Sequence, residues 1–243
     1  MPHNLIIIQA RLSSTRLPGK VLRPLWKKKN LLDLQLEKLT DCGIPFVLAT
    51  TVNPSDDAIV SWAKQNQVDV FRGDEDNVLQ RFIACAQEYG TQNLIRVCSD
   101  NPFIQLDQVP DFLQALEQGF DYVSYCNDSG TPAIKTHWGL FTEGVRLDAL
   151  KRASEMLEKD PQKMFYSEHV TNFIYGSPGQ FKVRLDAAPQ SVFSRNDLRF
   201  TIDTEEDFNN MKEMLDLLNG NEKTLDELVN ITNENPHILI TMQ

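Results

Sequence analysis

Short apolar runs alternate with amphipathic stretches along most of this chain, and that alternation constrains its fold more than any other feature. Leu5-Ile6-Ile7-Ile8 is brief, largely β-branched and free of polar residues, as a strand buried on both faces must be. Four more short, mainly apolar runs follow: Phe46-Val47-Leu48-Ala49-Thr50, Val68-Asp69-Val70-Phe71, Leu94-Ile95-Arg96-Val97-Cys98 and Tyr122-Val123-Ser124. Between them apolar residues recur at helical spacing over 31–39, from a Ser55 N-cap to about residue 65, over 78–89 and over 109–116. Strands alternating with helices predict the α/β class: a mostly parallel, Rossmann-like sheet in three layers, with helices on both faces. Residues 130–190 break the rhythm with prolines, glycines and two short helical segments, around 147–157 and 167–175. They read as an arm inserted into one domain that spans 1–243. Regularity returns with a final strand over 198–202, a helix capped by Thr204 over 205–218, and a last helix near 225–231.

At 243 residues the chain is long enough to bury a full core. Its net charge of −10 argues against a nucleic-acid or membrane-surface partner, which needs a basic field. An anionic ligand therefore requires a local cationic pocket. The first apolar run is far too short for a signal-peptide core or a membrane span, and no later segment reaches the roughly 18 residues a span needs. Cys42, Cys85, Cys98 and Cys126 are widely separated with no C-x-x-C pair, which predicts free thiols and a cytoplasmic protein.

The local cationic pocket comes from Ala10-Arg11-Leu12-Ser13-Ser14-Thr15-Arg16-Leu17-Pro18-Gly19-Lys20, directly after the first strand. The loop at the carboxyl end of such a strand is where open α/β sheets bind ligands. Arg11 and Arg16 offer planar forks and Lys20 a mobile point charge, while Ser13, Ser14 and Gly19 keep the backbone approachable. The set suits a polyphosphate, yet it is neither a Walker loop nor a dinucleotide fingerprint. Asp100 and Asp203 each end a predicted strand and face the same edge of the sheet. Two carboxylates about 4 Å apart repel by about 4 kcal/mol at an effective dielectric near 20, so a cation is expected between them, and Mg²⁺ suits oxygen ligands shared with phosphates. Asp74-Glu75-Asp76 is formally a D-x-D metal motif; the plainer reading is an acidic first turn with Asp76 as N-cap. Arg72 reads as either a nucleotide contact or a surface ion pair. His169 reads as a general base or a hydrogen-bonded structural histidine, and His137 and Trp138 as sugar contacts or packing.

The first loop matches A-R-x-x-S-T-R-L-P-G-K at every fixed position and resembles the signature of sugar nucleotidylyltransferases. The resemblance is to cytidylyltransferases of the 3-deoxy-manno-octulosonate and spore-coat polysaccharide protein F type. It extends through Ala49-Thr50-Thr51-x-Asn53-Pro54-x-Asp56-Asp57, Phe71-Arg72-Gly73-x-Glu75-Asp76-x-Val78-Leu79-x-Arg81, Asp100-x-Pro102, Glu168-His169-Val170-Thr171 and Arg199-x-Thr201-x-Asp203-Thr204-x-Glu206-Asp207. It implies a nucleotide-diphospho-sugar transferase-like fold and transfer of CMP from CTP to an acidic sugar for surface polysaccharide, with release of pyrophosphate. It also implies Mg²⁺ on Asp100 and Asp203, and a homodimer built with the 130–190 arm. In this reading Arg11, Arg16 and Lys20 are catalytic, and the nucleotide pocket adds Ala10, Ser13, Ser14, Thr15, Thr50, Arg72 and Asp100. Sugar contacts fall on Phe141, Glu143 and His169. The chain departs from the family pattern at 26–30 and at Phe141, where an acidic residue is common. Two other readings remain: a nucleotide-sugar-dependent glycosyltransferase using Asp74 and Asp76, and a non-catalytic nucleotide-binding paralogue.

Overall fold

The computed structural model describes residues 3–219 and 224–241. Seven strands form one sheet: β1 (Asn4–Gln9), β2 (Phe46–Thr51), β3 (Val70–Gly73), β4 (Asn93–Cys98), β5 (Tyr122–Cys126), β6 (Glu143–Arg146) and β7 (Val183–Ala187). Their spatial order is β3-β2-β1-β4-β6-β5-β7. All pairings are parallel except those of β6, which runs antiparallel to both β4 and β5. Side chains alternate across a strand, and β1 shows it directly. Ile6 and Ile8 pack with α1 (Leu31–Asp41), α2 (Asp57–Gln65) and α4 (Val109–Glu117), whereas Leu5 and Ile7 pack with α3 (Val78–Glu88) and α5 (Leu147–Leu157). That is the expected three-layer α/β sandwich.

Three helices start at cues visible in the sequence. Thr204 and Asp207 form a reciprocal capping box at the start of α9 (Glu205–Leu217), Asn30 with Asp33 does the same for α1, and Thr224 with Glu227 for α10 (Leu225–Glu234). The predicted Ser55 cap shifts: Asn53 accepts the Ser55 N–H and caps a short 3₁₀ turn, Pro54–Asp56, ahead of α2. Likewise Asn77, not Asp76, caps α3, while Asp74 accepts the N–H of both Asp76 and Asn77. Asp74 is thereby committed to the turn.

Larger differences lie in the second half. The segment 130–190 is not an arm on the sheet, because it contributes β6 and β7, two of the seven strands. It also supplies α5, α6 (Lys163–Glu168) and α7 (Asn172–Tyr175), and residues such as Val145, Leu150 and Ile174 share one core with Leu5 and Phe82. Conversely, 198–202 is extended but joins no strand. Phe200 N–H donates to the His137 carbonyl and Ile202 N–H to the Asp100 carbonyl, and Leu198, Phe200 and Ile202 are buried. These side chains join α8 (Gln190–Phe193), α9, α10 (Leu225–Glu234) and α11 (Pro236–Thr241) around Trp138 and Leu140. The predicted helices near 205–218 and 225–231 are α9 and α10. Among the described residues no helix is long and apolar enough to cross a membrane, and the four cysteines are free thiols.

Candidate active site

The strand order reverses at β1: β2 and β3 lie to one side of it and β4 to the other. At this switch point the carboxyl ends of β1 and β4 splay into a cleft of about 330 Å³. Gln9 of β1 with Arg96 and Cys98 of β4 form its floor, and Ser14, Thr15, Arg16 and Lys20 arch over it from the first loop. The arch is held at its base by Asp56, which is fully buried. Asp56 accepts the Leu12 N–H at 2.8 Å, the Thr51 N–H at 3.2 Å, and both the Thr50 and Thr51 hydroxyls. Gly19, at φ +72°, closes the loop by donating its N–H to the Leu12 carbonyl.

Lys20 is the centre of the arrangement. Only 8% of it is exposed, and its Nζ lies 3.3 Å from Asp100 Oδ2 and 3.4 Å from Asp203 Oδ1, with a further bond to the Ile202 carbonyl. The two aspartates predicted to share a cation do converge, and the cation between them here is the lysine's own ammonium. Arg16 reaches Asp203 Oδ1 at 3.0 Å while keeping most of its surface in solvent, and Arg11 pairs with Glu168 at 3.3 Å across the mouth. Behind Asp203, Arg199 binds both Asp203 and Asp207. The Asp207 bond raises the Arg199 pKa. Burial works to raise the Asp207 carboxyl, but bonds from Arg199 and from the Asp203 and Thr204 N–H groups outweigh it and hold its pKa below 3.8. Burial pushes the Cys98 thiol up to about 11, so it enters the cleft as a neutral group and not as a nucleophile.

Asp100 and Asp203 supply hard carboxylate oxygens on either side of the Lys20 ammonium, at the base of the first loop. That donor set fits Mg²⁺, which binds through one or two carboxylates and completes its shell with phosphates and water. Among the described residues there is no cluster of three or more His, Cys, Asp or Glu residues that would make a closed metal cage.

Several expected contacts fall outside the cleft. Phe141 is buried against Tyr125 and Trp138, ring centroids 5.0 and 6.0 Å away, on the far side of the core. It borders a separate depression there, with Tyr125 and Pro189. Glu143 is sealed beneath the floor, where its carboxylate accepts from Arg96, the Tyr122 hydroxyl and the Thr171 hydroxyl. Thr50 spends its hydroxyl on Asp56. Arg72 ties β3 to the end of β2 and the turn after it through the Thr51 and Asn53 carbonyls and Asp57, the surface ion pair that is one of its two readings. Ala10 is buried with its N–H on the Ala49 carbonyl, and His169 packs against Phe165, ring centroids 4.6 Å apart and tilted at 58°. Ser13 faces a neighbouring depression, donating to Glu75 at 2.7 Å.

The residues that sequence reasoning left out are Gln9, Arg96 and Asp56. A charged side chain inside an otherwise apolar strand was the available signal for Arg96.

An open α/β sheet with cations and paired aspartates gathered at its switch point is the site of an enzyme that handles nucleotide phosphates. The sequence matches the family described as cytidylyltransferase over residues 5–237, and the chain belongs to that family, a family of nucleotidyltransferases. It is 32% identical over 240 residues to the spore coat polysaccharide biosynthesis protein SpsF of Bacillus subtilis, covering 96% of this chain and 95% of that one. Among solved structures it superposes on a cytidylyltransferase from Leptospira borgpetersenii with a TM-score of 0.83 and 26% identity, over 98% of this chain and 97% of the other. The fold is shared with a CMP:2-keto-3-deoxy-manno-octonic acid synthetase solved with CTP, at a TM-score of 0.63 and 15% identity over 88% of this chain and 99% of that one.

Proposed function

We propose that this chain transfers CMP from CTP to a hydroxyl of an acidic sugar destined for surface polysaccharide, releasing pyrophosphate in a Mg²⁺-dependent reaction. The observation that carries this reading is the convergence of Asp100, Asp203 and Lys20 beneath a loop bearing Arg11 and Arg16. Positioning and charge neutralisation supply most of the rate in such transfers, so the residues need only bind, orient and compensate charge. Arg11 and Arg16 exchange their carboxylate partners for phosphate oxygens when a triphosphate enters. Lys20, fixed by two carboxylates and a carbonyl, holds its charge where negative charge grows on the departing pyrophosphate. Mg²⁺, when bound by Asp100 and Asp203, would neutralise phosphate oxygens and lower the pKa of a coordinated hydroxyl. The SpsF name supports the polysaccharide role and the octonic acid synthetase the acidic acceptor; the family resemblance also supports a homodimer.

The test is pyrophosphate release from CTP, ATP, GTP and UTP with a panel of acidic and neutral sugars, with and without EDTA. Release confined to CTP, an acidic acceptor and free Mg²⁺ is expected. Release from a preformed nucleotide sugar's acceptor reaction, with no pyrophosphate from any triphosphate, would replace this reading with a glycosyltransferase.

A further inference from the structure

Arg96 is a charged residue in the middle of a central strand, and its side chain is 9% exposed. Cross-strand register sets it opposite Glu143 on β6, and the two pair at 2.7 Å. On its other side Gln9 Oε1 accepts from both Nε, at 3.2 Å, and Nη2, at 3.0 Å. Glu143 is fixed in turn by the Tyr122 hydroxyl at 2.6 Å and the Thr171 hydroxyl at 2.8 Å. Four residues, from β1, β6, β5 and the turn before α7, therefore hold one guanidinium in a single orientation. A guanidinium has five N–H donors. The three bonds to Gln9 and Glu143 leave one N–H on each terminal nitrogen, and Arg96 lines the cleft.

A charge pair kept only for packing has a cheaper alternative, because well-packed apolar residues in its place are often neutral or stabilising. The neighbours on the same face of β4 are apolar or neutral: Leu94 is in the core, and Cys98 is held as a thiol. The one place where a fixed, forked cation has further use is the cleft it borders. A guanidinium with its terminal nitrogens half-satisfied matches an oxyanion, which accepts from both.

We infer that Arg96 is a fourth substrate-anchoring cation of the cleft, held by Gln9 and Glu143 so that its two remaining N–H groups take an oxyanion of a bound substrate. The oxyanion is a phosphate of the nucleotide or the carboxylate of the acceptor. The inference rests on the nucleotidyl-transfer reading above and adds a residue to it. Gln9 and Glu143 are then positioning residues that act through Arg96.

Replacing Arg96 alone leaves Glu143 buried without its partner, so the test uses the double variant Arg96→Met with Glu143→Gln, beside Arg96→Lys. Folding is checked by circular dichroism and thermal melting. Calorimetric titration with CTP and with pyrophosphate, and acceptor KM and kcat in the pyrophosphate-release assay, are the readouts. A tenfold or greater loss of CTP and pyrophosphate affinity in the folded double variant, partly restored in Arg96→Lys, assigns the phosphate. Unchanged CTP affinity with a tenfold rise in acceptor KM assigns the carboxylate. A folded double variant within twofold of wild type in every one of these quantities overturns the inference. Wild-type protein that binds neither CTP nor pyrophosphate overturns the reading beneath it, and the assignment with it.

Discussion

Lys20 shows how much one side chain can combine. Its ammonium offsets the mutual repulsion of Asp100 and Asp203, accepts no competition from bulk water, and faces the space a triphosphate would fill. Removing it therefore does two things at once. Lys20→Ala is expected to reduce CTP affinity by at least 100-fold in a calorimetric titration. It is also expected to lower stability by about 1.5–3 kcal/mol, the order of a hydrogen bond to a charged group, because both aspartates keep some solvent and Asp203 keeps Arg16 and Arg199; the loss is read as a drop in the denaturation midpoint. A variant with wild-type CTP affinity would remove Lys20 from the site. Asp207 gives a second residue-scale expectation, this time in pH. Its carboxyl is depressed in the folded state, so its stabilising bonds to Arg199 and to the Asp203 and Thr204 N–H groups are present above 3.8 and are lost as acid protonates it. Thermal melts of wild type should fall steeply below that pH, and Asp207→Asn should start lower and flatten the acid limb. The residues whose convergence the sequence disclosed were Arg11, Arg16, Lys20 and Asp100, polar groups at strand ends and in the first loop, and Asp203, which follows the unpaired 198–202 segment. Thr50, Arg72, Phe141 and Glu143 were not legible, since their roles are decided by which way each side chain faces and by partners distant in sequence.

Elements whose cues are local were readable, and those that depend on a distant neighbour were not. The Thr204 capping box announces α9 within four residues. The 198–202 stretch has the apolar alternation of a strand, yet whether it pairs depends on a free sheet edge at the right height. It finds instead the His137 and Asp100 carbonyls and a bed of aromatic side chains. This segment carries Asp203, so its placement matters to the site. Gly139 governs that placement: it sits at φ +60°, and a Cβ there would lie 2.9 Å from the Thr201 backbone nitrogen and 3.0 Å from Asn101 Oδ1. Gly139→Ala is expected to cost more than about 1 kcal/mol from the backbone conformation alone. It should also push the 198–203 segment away from the loop after β1, weakening CTP binding although residue 139 lies outside the cleft. Chemical denaturation together with a CTP titration measures both effects; loss of stability with full CTP affinity would separate this segment from nucleotide binding.

At the scale of the molecule, the main departure from the expected architecture concerns residues 130–190. Glu143-Gly144-Val145-Arg146 carries two charges and a glycine in four residues, and Val183-Arg184-Leu185-Asp186-Ala187, although it alternates apolar and polar, follows a stretch rich in short helices and turns that hides it. They are strands because of where the sheet needs them. β6 enters between β4 and β5, reversing direction, and its Gly144 lets Val123 and Leu116 close over it: a Cβ would fall 2.7 Å from Val123 Cγ1. Glu143 then reaches Arg96, so the same insertion that completes the sheet also fixes a group on the cleft floor. A detachable arm and an integral one make opposite predictions for a chain in which residues 130–190 are replaced by a short Gly/Ser linker. If the segment were an appendage, the shortened chain would keep a cooperative transition and CTP binding while losing acceptor turnover. The structure predicts otherwise, because deletion would leave β4 and β5 without their shared neighbour. It would also expose the face formed by Leu5, Phe82 and Tyr122, which Leu147, Leu150 and Ile174 now cover. Each such side chain contributes about 1.5–3 kcal/mol when fully buried, so losing several together exceeds the 5–15 kcal/mol that holds a typical domain folded. The expected result is a chain with no cooperative thermal transition and no measurable CTP binding; a folded, CTP-binding deletion variant would restore the arm.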